Sequence, residues 1–102
     1  MKIYKLSQSI NDGYDAYDSF IVIAKNEDEA RLIHPSQSVT HITIINGKPQ
    51  FMGTYGDGSG HYIARDMGWV EFDEVDQIKV EYIGTAKPGS KPGIVVSSFN
   101  AG

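Results

Sequence analysis

The sequence predicts an α+β fold: a mainly antiparallel sheet of about five or six strands, with one short helix (residues 26–34) packed on one face. Three observations carry that expectation. Alternating or wholly apolar segments recur at strand length, separated by clusters of Gly, Asn, Asp, Ser and Pro. One stretch, "NEDEARLIHP", holds start and stop signals on either side of about two helical turns. The Asn46-Gly47 pair sits between two strand-like runs, as in a tight hairpin.

In chain order, residues 2–8 alternate Tyr4 and Leu6 against Ile3 and form the first strand. "SINDGYDAYDS" is a loop by composition. Residues 19–25 are apolar on both faces, the pattern of a central strand covered on both sides. Asn26 then caps the helix, and Glu29 stands three residues on, as in a capping box. Glu27, Asp28 and Glu29 lie at the positive end of the helix dipole and Arg31 toward the other. Pro35 disfavours a helical His34 and ends the element, which turns Ala30 and Ile33 to the sheet.

"VTHITIINGKPQFMGTY" reads as a hairpin, because Asn-Gly accepts the positive φ values of a type I′ turn. Pro49 places the returning strand at a sheet edge. Residues 55–68 form a flexible Gly-rich loop region, followed by an acidic stretch with one helical turn. Residues 78–85 alternate as a further strand, and "IVVSSF" is the last. The two Pro-Gly pairs of residues 86–93 make the connection a second hairpin loop.

The chain has 102 residues, the size of one domain spanning 1–102. Its apolar share (40%) is that of a globular chain, and the absence of cysteine excludes disulfides and thiolate chemistry. No secretion signal is expected, since "MKIYKLSQSI" lacks an apolar core, and the apolar run 20–24 is too short to span a bilayer. Nine basic and thirteen acidic side chains give a net charge of −4. The basic residues are scattered, so direct binding of a nucleic-acid polymer is not expected.

The candidate ligand site is "YGDGSGHYIAR". Gly56, Gly58 and Gly60 allow close approach of backbone N–H groups, and Arg65 offers a cation to a phosphate. Tyr55, Tyr62 or Trp69 offers a ring for a base, while Asp57, Ser59 and His61 add hydrogen bonds. The spacing matches neither a Walker loop nor a dinucleotide fingerprint, and a plain connecting loop accounts for the same composition. Tyr14 and Tyr17, each followed by Asp, form a second aromatic-acidic candidate, suited to a ribose or to protein contact. Packing of these tyrosines against the sheet explains them equally well. His34, His41 and His61 have no metal-ligand spacing, and no serine stands in a nucleophile context. No metal, cofactor or enzymatic activity is expected.

Two parts of the chain resemble a family of small bacteriophage and prophage proteins. They are "YKLSQ…GYDAYDSFIVIAKNEDEARLIHP" near the N-terminus and "IKVEYIGTA…GIVVSSFNAG" at the C-terminus. The resemblance covers residues 1–35 and 69–102 and leaves the middle unmatched. It implies a phage accessory protein working in the host bacterial cytoplasm, and it brings no catalytic residues. Such proteins often antagonise host defence. The expected function is non-enzymatic binding that sequesters a nucleotide-like signal, with homo-oligomerisation. The alternatives are an acidic inhibitor of a host defence protein, using the Asp12–Asp18 and Asp66–Asp76 clusters, and a phage structural module without a ligand.

Overall fold

The computed structural model describes residues 1–10, 16–65 and 67–100, with side chains through residue 98. Among these residues the α+β class and the antiparallel pairing hold, but the strands divide between two sheets. The strands are β1 (Lys2–Ser7), β2 (Ala16–Ala24), β3 (Val39–Ile45), β4 (Lys48–Thr54), β5 (His61–Ile63), β6 (Lys79–Thr85) and β7 (Gly93–Asn100). A four-stranded sheet has the order β6-β1-β2-β7, and a three-stranded sheet the order β3-β4-β5.

In the larger sheet Tyr4 opposes Val22 and Leu6 opposes Phe20, so these four side chains share a face. That face is the core, and all four are buried. Ala30, Trp69, Val70 and Ile78 close over it. Ile3, Ile21 and Ile23 point to the opposite face and are half-buried. The two-sided apolar pattern of β2 therefore marks its central position correctly but overstates its cover.

The helix α1 spans Glu27–Arg31, shorter than the expected 26–34. Asn26 caps it as its sequence implies, its side chain accepting from the Glu29 N–H at 2.9 Å. The far end tightens early: the N–H groups of Leu32 and Ile33 bond back three residues, to Glu29 and Ala30. Arg31 then fastens the helix to the 3₁₀ turn Phe72–Gln77. Its Nη1 donates to the Val75 carbonyl at 2.9 Å and to the Ile78 carbonyl at 2.7 Å. Arg31→Met should strip two carbonyls of a charged donor and lower stability by about 1.5–3 kcal/mol. A urea midpoint that does not move would show that these bonds hold nothing.

Two connections differ from expectation. The segment at 86–93 is not a hairpin loop, because β6 and β7 lie on opposite edges of their sheet. It crosses the end of the sheet, a span of three strand spacings or about 14 Å. Seven residues reach that far when extended to roughly 23 Å. The Ala86 N–H anchors the start of the crossing on the Met1 carbonyl, and Gly89 turns it at φ +85°. β7 is seated beside β2 at one edge of the larger sheet. The Asn46-Gly47 hairpin forms the second sheet, with Asn46 at φ 51° and Gly47 at φ 79°. Pro49 lies on β4, the middle strand, yet β5 pairs only with Met52 to Thr54 and leaves Pro49 a single neighbour.

Candidate functional site

The stretch expected to cradle a phosphate closes a hairpin between β4 and β5. Three of its N–H groups are used inside the loop: Tyr55 donates to the Gly60 carbonyl, Gly58 to the Tyr55 carbonyl, and Ser59 to Asp57 Oδ1. The Ser59 hydroxyl and backbone N–H hold the Asp57 carboxyl below the usual range. A fixed negative charge thus occupies the loop where a phosphate was expected. Gly58, at φ +76°, is required by the turn itself.

The expected rings separate. Trp69 is 2% exposed and meets Phe20 edge to face at 4.9 Å, so its face is part of the core and is not open to a base. Tyr17 is half-buried against the core, with its N–H on the Gly68 carbonyl. Tyr14 lies outside the described residues, as do Asp12, Asp15 and Asp66. Arg65 is exposed, and its backbone N–H returns to the Ile63 carbonyl.

Tyr55 and Tyr62 do come together, with ring centroids 5.0 Å apart. The Tyr62 ring lies over Gly53, its cross-strand partner, where any Cβ would overlap it. Gly53→Ala should therefore push Tyr62 off its seat. The expected cost is about 1–3 kcal/mol, with a changed near-ultraviolet tyrosine signal. An unchanged signal and midpoint would refute that packing.

A ligand-sized concavity lies elsewhere. A cleft of about 330 Å³ runs between β3 and β7, which are edge strands of different sheets. Leu32, Val39, Ile42, Phe51 and Ile94 make its apolar lining, and His34, Ser36, Gln37, Thr40 and His41 its polar lining. His34 is 5% exposed and stands edge to face against Phe51 at 5.2 Å. Its Nδ1 accepts the Ser36 N–H at 3.0 Å, which puts the proton of the neutral ring on Nε2. Among the described residues no hydrogen bond uses that Nε2–H. Burial lowers the His34 pKa to about 4, so the ring is a neutral donor at physiological pH.

Of the lining residues His41 meets His61, which lies outside the lining, with ring centroids 4.8 Å apart, and Thr40 and Thr54 hydrogen-bond to the two rings. Of these only His61 was a sequence candidate for ligand binding. Pro35 immediately after His34 was the one available hint, since it keeps His34 out of the helix. Among the described residues no group of three His, Cys, Asp or Glu side chains could hold a metal, and no helix is long and apolar enough to cross a membrane. The chain matches no protein-family model, no curated protein and no solved structure.

Proposed function

We propose that the protein is a non-enzymatic binding module for a small nucleotide-like molecule, held in the cleft between the two sheets. The observation that carries this reading is the His34 floor: a buried, neutral imidazole facing a ligand-sized cleft with its Nε2–H unused by the described residues. The cleft volume falls at the lower end of small-molecule sites, the size of a nucleoside. Ile42 and Ile94 offer apolar contact to a flat base, and Gln37 and Ser36 flank the donor. The resemblance to phage proteins supplies the setting, sequestration of a nucleotide signal in a bacterial host. The acidic-inhibitor alternative draws on the exposed Asp18, Asp73 and Asp76 and leaves the cleft unused. Association with a second copy belongs to the same proposal, because Val96, 58% exposed, extends the half-buried face of Ile3 and Ile21.

The test is native mass spectrometry of the purified chain, followed by release and identification of any bound molecule. A stoichiometric nucleotide is expected, absent from an Ile42→Trp variant in which the cleft is narrowed at a partly exposed position. Saturation at a hundred times Kd should add ~2.7 kcal/mol of stability. A ligand-free protein that also shows no shift with ribonucleosides or cyclic nucleotides at millimolar concentration would end this reading.

A further inference from the structure

We propose that His41 and His61 form a paired-imidazole subsite at the rim of the cleft that recognises a ribose cis-diol, one ring donating and the other accepting. This rests on the reading of the cleft as a nucleotide-like site and names the group held at its polar end.

Four side chains make one continuous series of contacts. His41 Nδ1 is 2.8 Å from Thr40 Oγ1, which is 2.7 Å from Thr54 Oγ1, which is 3.2 Å from His61 Nδ1. The strands bring them together. His61 of β5 opposes Thr54 on β4, and His41 of β3 opposes Met52 two residues away on β4. The imidazoles thus approach from the two neighbours of one strand and meet edge to face, 81° between planes. A register shift between Val39 and His41 leaves Thr40 as the extra residue, and its hydroxyl reaches both His41 and Thr54.

Counting protons sets the state of the rings. Each of the three contacts needs one hydrogen between its atoms. The two threonine hydroxyls supply two. The third must come from an Nδ1–H, so at least one imidazole carries its proton on Nδ1 and presents a bare Nε2. If the other Nδ1 ends the chain as an acceptor, no hydroxyl proton is left outside it, and that ring carries its proton on Nε2. In this closed arrangement, with both rings neutral, the two histidines are opposite tautomers, so the pair offers one acceptor and one donor from rings whose centroids lie 4.8 Å apart.

A vicinal diol complements such a pair, since each hydroxyl both donates and accepts. A phosphate wants donors only, and here one of the two nitrogens is an acceptor. A metal would need a third ligand, and among the described residues no His, Cys, Asp or Glu completes a set. Thr40 and His41 also line the cleft, so a nucleoside with its base against Ile42 and Ile94 presents its ribose toward the pair.

Two measurements on the full chain test this. Long-range proton–nitrogen NMR of the imidazoles is expected to show one ring of the pair protonated at Nδ1 and the other at Nε2. Titrations of adenosine and guanosine against their 2′,3′-dideoxy counterparts are expected to favour the ribose forms by about thirtyfold, as two neutral hydrogen bonds would give. That preference should fall toward unity in Thr54→Val, which breaks the series, and in His61→Phe at an exposed position. Two rings protonated on the same nitrogen would overturn the proposal. Equal binding of ribose and dideoxy forms would overturn it and leave the cleft reading standing, whereas binding of neither overturns both.

Discussion

Phe20→Ala is expected to lower the stability of the protein by about 3–5 kcal/mol. Phe20 is 1% exposed, on the buried face of one of the two inner strands of its sheet, opposite Leu6 and edge to face with Trp69 at 4.9 Å. Truncation removes the ring from the Trp69 contact and opens a cavity that neighbours on a four-stranded sheet cannot collapse to fill. A domain of this size has about 5–15 kcal/mol in all, so the change takes roughly a fifth or more of it. The midpoint of thermal unfolding should fall by about 15–30 °C. Trp69 is the single tryptophan of the chain, so its fluorescence reports on this packing directly. Phe20→Leu keeps most of the volume and should cost no more than about 1.5 kcal/mol. A loss below 1 kcal/mol in the alanine variant, or equal losses in both, would mean that Phe20 is not the centre of the core.

What was legible in the sequence was local. The Asn26 cap needs only a side chain three residues from its donor, and the Asn46-Gly47 turn needs only two residues that accept positive φ. Most strand positions followed from apolar patterning over a few residues, but β5 (His61–Ile63) lies within the 55–68 segment read as a flexible loop, and β2 starts at Ala16 within the stretch read as a loop. The partition into two sheets was not local. Nothing in "IVVSSF" states that β7 pairs with β2, more than seventy residues earlier, and not with β6 across a short loop. A Pro-Gly-rich connection of that length suits a hairpin and an end crossing equally, and the choice is made by which pairing buries Ile94 against the core.

The site was less legible for a similar reason. Composition at 55–65 lists groups that suit a phosphate, but it does not say whether their N–H groups are free. The structure directs those of Tyr55, Gly58 and Ser59 to Gly60, Tyr55 and Asp57 within the loop. The pairing of His41 with His61 depends on two strand registers and a one-residue shift at Thr40, none of which leaves a spacing signal. His34 and Ser36 were visible as residues, yet their meaning depends on the cleft between sheets whose separation was itself unforeseen.

Acidification provides the second large effect, through His34. Its ring is neutral and buried in the native state, with a pKa of about 4, whereas in the unfolded chain it titrates near 6.5. Above pH 6.5 both states are neutral at this position and it contributes no pH dependence. As pH falls from 6.5 toward 4, the unfolded chain binds a proton that the native protein refuses, so stability declines through that window. Below about pH 4 both states are protonated and the loss is complete. A difference of roughly 2.5 pKa units corresponds to about 3 kcal/mol. His34→Asn retains an acceptor for the Ser36 N–H but does not titrate, so the variant should start less stable and then lose less between pH 6.5 and 4. The stability difference between the two proteins should narrow, or reverse, as the pH drops. If their stabilities instead run parallel from pH 7.5 to 4, or if the native His34 ring takes up its proton near pH 6.5 by NMR, then His34 is not the desolvated donor on which the cleft reading depends.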